Sequence, residues 1–205
     1  MTIPIADLIA ILPELLVVGA ACLLLVLDPI TPASKKDTLA WMGVGTLILC
    51  FFISVGDLND RVFAFSDLLV IDSYAAFWKL LLYVVSGLTI LLSMTYLKEE
   101  HIDLAEYYGF ILLSLAGMMV MVSGVDLLVI YLGIELMSIS LYVMAGFKRF
   151  EPRSIESSAK YFILGAFSSG ILLYGISLLY GVAGSTRLAE IADALNSRGV
   201  DDPMV

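Results

Sequence analysis

Apolar runs follow one another along the whole chain, each about 16–23 residues long and so near the length at which a helix crosses a bilayer. They fall at 8–27, 39–55, 74–96, 107–122, 127–147 and 159–180. Inside a bilayer no water satisfies backbone N–H and C=O groups, so only helices and closed barrels can span it. Barrel strands would alternate apolar and polar over about ten residues, and these runs do not. The pattern predicts an all-α, polytopic transmembrane helix bundle of about six spans, with the lipid bilayer as its surroundings. Composition agrees: 60% of residues are hydrophobic, only 15% are charged, and the mean hydropathy is +0.99. Between the fourth and fifth runs stands only Ser123-Gly124-Val125-Asp126, which predicts a tight hairpin.

No basic n-region precedes the first run, and Asp7 and Glu14 flank or enter it, so the N-terminus does not read as a cleavable signal. Lys35, Lys36, Lys98, Lys148, Arg149 and Arg153 follow odd-numbered spans, against Arg61, Arg187 and Arg198 on the other side. That bias, six against three, places the N-terminus on the outer face of the membrane. Acidic loop residues account for much of the net charge of −9: Asp57, Asp60, Asp67 and Asp72 after the second span, and Glu99, Glu100, Asp103 and Glu106 after the third. They read as solvated loop surface. Within the loop 56–73, Arg61-Val62-Phe63-Ala64-Phe65 either pairs as a small hairpin or lies on the surface. The segment 184–205 carries Leu188, Ile191, Ala192 and Leu195 at helical spacing, an amphipathic stretch for the outer face that breaks at 198–203.

Several chemistries lack their residues. Cys22 and Cys50 stand singly in apolar runs without a CxxC, His101 is the only histidine, and no phosphate-binding glycine fingerprint occurs. The chain is therefore expected to bind no cofactor, metal or nucleic acid and to carry no electrons itself.

A carboxylate at mid-bilayer costs about 2.5–3.5 kcal/mol on insertion scales, and Glu135 lies near the middle of the fifth run. Tyr131, Glu135, Ser138 and Tyr142 share one helical face, a polar stripe expected to turn inward. A carboxylate whose partner can approach or withdraw is a switchable proton site; the plain alternative is a structural Glu satisfied by hydroxyls. Lys160, at the start of the sixth run, has Glu156 one turn earlier and reads equally as a snorkelling lysine on the rim. At 1.5 Å per residue, Glu135 lies roughly 18–20 Å from the cytoplasmic end and Lys160 within about 10 Å of it, too far for a direct bridge. Lys79 and Glu14 are better matched in depth. Lys79 either snorkels or pairs with Glu14 or Glu135, and Glu14, following Pro13, either takes part in such a pair or caps an interfacial helix start. Gly165/Ser169 and Ala166/Gly170 in the sixth run are small residues four apart that allow close helix packing.

Residues 133–149 (GIELMSISLYVMAGFKR) and 154–181 (SIESSAKYFILGAFSSGILLYGISLLYG) closely resemble the subunit N family of NADH:quinone oxidoreductase, respiratory complex I. Leu12-Pro13-Glu14-Leu15 and Ile71-Asp72-Ser73 share the likeness, which covers the whole chain. The resemblance implies the first part of an antiporter-like inverted-repeat fold and a non-redox, proton-translocating translocase subunit of the bacterial inner membrane. Glu135 would match the family's fifth-span glutamate and Lys160 its sixth-span lysine. Partners would be other membrane-arm subunits, with NAD and quinone used elsewhere in the complex. The family continues through a second, inverted repeat holding further lysines, so this chain is expected to correspond to the N-terminal portion and not to pump alone. Two alternatives stand beside this reading: a subunit of a multi-subunit Na⁺/H⁺ antiporter, and a non-conducting assembly remnant.

Overall fold

The computed structural model describes residues 4–32, 35–59, 61–100, 102 and 104–198. The helices are α1 (Ile5–Ala10), α2 (Leu12–Leu27), α3 (Lys36–Gly56), α4 (Ser73–Glu99), α5 (Glu106–Ser123), α6 (Leu127–Ala145), α7 (Pro152–Ala183) and α8 (Leu188–Arg198). A short hairpin, β1 (Val62–Ala64) with β2 (Leu69–Ile71), interrupts them. Among the described residues six helical spans, α2 with the 3-10 turn that continues it to Ile30 and α3 to α7, are long and apolar enough to cross a membrane. His101 and residues 199–205 lie outside the described residues, and most of the break expected at 198–203 with them.

Two boundaries differ from the apolar runs. The first run is split: α1 ends at Ile11 (φ −103°, ψ 19°), and α2 restarts with Pro13 in its first turn. Proline lacks the N–H that a continuous helix would use and is tolerated only near a helix start. The sixth helix begins at Pro152, seven residues before the apolar run. Extended Glu151 precedes it, and proline's fixed φ opens the first turn. At 1.5 Å per residue its 32 residues measure about 48 Å, more than a hydrocarbon core of about 30 Å, so α7 protrudes. Lys160 therefore sits two turns inside the helix instead of opening it.

The centre of the bundle is α5, packed against α2, α3, α4 and α6, with Leu112, Leu115 and Met119 fully buried. In lipid no hydrophobic force drives helices together; close packing does. At the α5–α6 crossing, a Cβ on Gly117 would come 2.6 Å from the Gly133 carbonyl oxygen, and one on Gly133 would come 2.8 Å from the Gly117 carbonyl oxygen. Only two glycines permit that backbone approach. α7 touches α6 and α8 and is otherwise open, with Ile176 its one buried residue among those described.

The loops form two different rims. At one end the β hairpin turns through Phe65, Ser66 and Asp67, all at positive φ, and Arg187 donates to the Ser66 carbonyl at 2.8 Å. Val125 N–H donates to Leu68 O, Leu127 N–H to Thr186 O and Leu188 N–H to Val125 O, so three loops join in one backbone network. Beyond it α8 packs on α7 and buries Ile191. At the other end, Glu100 and Glu106, which the sequence suggested were simply solvated, hold basic residues, Lys148–Glu100 and Arg149–Glu106 at 2.6 Å, and Asp37 in the first turn of α3 holds Lys98 at 2.6 Å. The hydrogen bond that Lys148 donates to Glu100 holds its ammonium above the ordinary lysine pKa. Such exposed pairs tie loops together more than they stabilise the bundle. Buried Asp28 is different, for it accepts from Ala105 N–H at 2.7 Å and pairs with Lys36 at 3.0 Å.

Gly117→Ala is expected to cost about 1–3 kcal/mol through overpacking at the crossing. Gly19→Ala, with nothing within 4 Å of its Cβ, should be neutral or slightly stabilising. Denaturant titration in detergent by circular dichroism reads both; equal midpoints would show that the crossing does not limit stability.

Candidate functional site: charged groups within the spans

Asp126 fixes the start of α6. Its Oδ1 accepts from Leu128 N–H (2.8 Å) and Val129 N–H (3.4 Å), an N-cap that satisfies donors the helix cannot. Its Oδ2 accepts from the Thr186 hydroxyl at 2.6 Å. With the start capped and Gly133 set against α5, the face carrying Tyr131, Glu135, Ser138 and Tyr142 lies along the seam with α7. The Tyr131 and Ser169 hydroxyls are 3.5 Å apart. Tyr142 stands edge-on to Tyr161 (4.7 Å) and Phe162 (5.9 Å), and the space beside Gly165 is filled by its hydroxyl. Ser158 and Ser154 donate to the Tyr142 and Ala145 carbonyls at 2.7 and 3.0 Å, fastening the two helices near their shared turn.

Glu135 and Ser138 are half-buried in this stripe. The Glu135 Oε1 atom is buried and has no hydrogen-bond partner among the described residues. A buried acceptor left in that state is costly. The structure does not bring Lys160 to it. Lys160 is 70% exposed and pairs along its own helix with Glu156, itself 63% exposed, the rim pairing that the spacing allowed.

Lys79 neither snorkels nor reaches Glu135. Its side chain is 2% exposed, and its Nζ lies 2.6 Å from Glu14 Oε1, whose side chain is 9% exposed. Glu14 thus sits inside the bundle in the first turn of α2 and does not cap an interfacial helix. Around the pair lie Tyr83, one turn beyond Lys79, and Ser54 and Cys50 of α3; the sequence pointed to no site at any of them, and Cys50 stood out only as a single cysteine in an apolar run. Their i, i+4 spacings within apolar runs were the signal available. Among the described residues no group of three or more His, Cys, Asp or Glu could hold a metal ion.

The spans thus form a bundle of membrane-crossing helices with carboxylate and ammonium groups inside it. Comparison with known proteins agrees. Residues 124–204 match the family described as NADH:quinone oxidoreductase/Mrp antiporter, TM. Along nearly its whole length the chain resembles NADH-quinone oxidoreductase subunit N. It is 42% identical over 193 residues to that subunit of Trichlorobacter lovleyi, covering 94% of this chain and 40% of the relative. The Thioalkalivibrio sulfidiphilus subunit N is 38% identical over 208 residues, covering 100% and 43%. Subunit N 2 of Rhizobium meliloti is 39% identical over 197, covering 96% and 41%. The chain thus spans about two fifths of the length of these relatives. Two solved assemblies contain the fold at 24% identity. In the archaeal membrane-bound sulfane sulfur reductase, the match has a TM-score of 0.78 over 93% of this chain and 40% of the other. In respiratory complex I of Thermus thermophilus with bound aureothin, it has a TM-score of 0.72 over 90% and 41%.

Breaking a buried ion pair from one side costs about 3–5 kcal/mol, because it strands a charge. Glu14→Gln and Lys79→Met should each lose that much, and the double variant less than the sum of the two. Lys98→Met, which breaks an exposed pair, should change little. Detergent unfolding of the four variants checks this; additive losses at Glu14 and Lys79 would show that they do not act as a pair.

Proposed function

We propose that the chain forms part of a proton-translocating membrane subunit of an NADH:quinone oxidoreductase. The observation that carries the reading is Glu135: a carboxylate within a span, on the one polar stripe of α6, with a buried oxygen lacking a hydrogen-bond partner among the described residues. The likeness to subunit N over nearly the whole chain supports the same conclusion. The chain itself moves protons and binds neither NAD nor quinone; both are used in partner subunits, and the further membrane-arm subunits are its neighbours.

In this reading Glu135 accepts a proton at its buried oxygen and releases it when its surroundings change. Tyr131, Ser138 and Tyr142 hold the stripe against α7. Lys160, bound to Glu156 on an exposed face, joins the path only through water or other residues. The charge bias of the loops sets the hairpin rim and the N-terminus on the outer face of a bacterial inner membrane, with Lys36, Lys98, Lys148 and Arg149 inside. A second reading is a multi-subunit Na⁺/H⁺ antiporter, favoured by the matched family, whose description covers both kinds of protein.

Glu135→Gln, in the assembled complex, should remove most NADH-driven proton uptake by inverted vesicles while reducing NADH oxidation far less. Unchanged uptake at normal assembly would overturn the role of Glu135. A native gel stained for NADH dehydrogenase separates the two readings, since only the first places this chain in the active band.

A further inference from the structure

Glu14, Cys50, Ser54, Lys79 and Tyr83 come from α2, α3 and α4, and each is more than nine-tenths buried. They converge in one seam, and α5 separates that seam from α6 and the Glu135 stripe. The contacts are specific: Lys79 Nζ to Glu14 Oε1 at 2.6 Å, the Tyr83 and Ser54 hydroxyls 3.2 Å apart, and Cys50 Sγ to the Pro13 carbonyl oxygen at 3.6 Å. The charge of Glu14 acts on both Tyr83 and Cys50, and that of Asp57 acts on Tyr83. Asp57 is half-buried in the turn that closes α3, three residues beyond Ser54, at the hairpin rim. α5 brings no charged side chain to the seam; its Glu106 stands at the opposite rim.

One atom in this cluster is out of place for a static ion pair. Glu14 Oε2 is buried without a hydrogen-bond partner among the described residues. A buried pair is well accommodated only when its remaining lone pairs are satisfied, so a buried carboxylate with one unmatched oxygen suits a group that gains and loses a proton.

We propose that Glu14 Oε2 is a second proton-exchange site, reached from the Asp57 end along the Ser54–Tyr83 hydroxyl pair and held in position by Lys79. Water at the rim supplies the proton. Each hydroxyl gives up one proton as it accepts another, a water molecule carries the proton across the gap between the hydroxyls and the carboxylate, and the last O–H bond forms on Oε2. The Glu14–Lys79 pair then carries one added positive charge, with the ammonium keeping its own protons. Release runs the same steps backwards. This site does not depend on what Glu135 does.

Infrared pH-difference spectra of the full chain in lipid vesicles test it through the carbonyl stretch of a protonated carboxylic acid. A titrating band should be present, survive Glu135→Gln and vanish in Glu14→Gln. Tyr83→Phe combined with Ser54→Ala should keep the band but slow its deuterium shift several-fold after transfer to D₂O. Spectra in which Glu14→Gln removes no titrating component would overturn the proposal, as would deuteration of that component at the wild-type rate in the Tyr83/Ser54 variant. If Glu14→Gln fails to insert, the Tyr83/Ser54 variant, which leaves the ion pair intact, decides by the same exchange rate.

Discussion

The contact on which the arrangement rests is the backbone-to-backbone crossing of α5 and α6 at Gly117 and Gly133. In lipid, helices gain little by hiding apolar side chains from one another, so position comes from how closely backbones approach and how well surfaces fit. Once α6 lies directly on α5, its rotation is settled. The Gly133 side is buried, and the stripe through Tyr131, Glu135, Ser138 and Tyr142 has the α7 seam as its neighbour. The Asp126 cap fixes where along its axis α6 begins, which sets the depth of Glu135. Two glycines and one aspartate thus place a carboxylate whose own interactions hold it weakly.

Charged side chains inside the spans meet the bilayer in three ways. Glu14 and Lys79 neutralise one another in the interior. Lys160 stays exposed beside Glu156, where its cost depends on what covers that face of α7. Glu135 does neither completely, keeping one buried oxygen without a partner among the described residues. Pairing makes a carboxylate stable where it is, whereas an incomplete environment makes its protonation state responsive. Glu14 shares that feature through its second oxygen, so the two incomplete carboxylates are the ones proposed to exchange protons.

Much of the architecture was legible from periodicity. Backbone satisfaction in lipid leaves a run of this length and composition little other than a helix, and six runs gave six membrane-length helices. The boundaries were less legible because hydropathy reports where a helix meets lipid, not where it ends. Pro13 breaks the first run inside its apolar stretch, and Pro152 starts α7 within a charged segment. Among the candidate residues, the depth match of Glu14 and Lys79 was readable from rise per residue. The choice between Glu14 and Glu135 as partner for Lys79 was not, since it depends on which helices are adjacent. Tyr83, Cys50 and Ser54 went unmarked because single hydroxyls and thiols in apolar runs are usually packing; only the fold shows them facing the same pair.

The hairpin rim couples parts of the chain that are far apart in sequence. Backbone hydrogen bonds from Val125 to Leu68, from Leu127 to Thr186 and from Leu188 to Val125 stitch the ends of α3, α5 and α7 into a single patch, with Arg187 anchoring the left-handed turn at Ser66. α7 is held to the rest of the bundle along one side only, by α6. A tilt of α7 therefore cannot occur by sliding in lipid alone, because its far end is sewn to the hairpin. The patch behaves as a hinge plate, turning any sideways swing of the long helix into torsion at the first residues of α6, about two turns from the carboxylate.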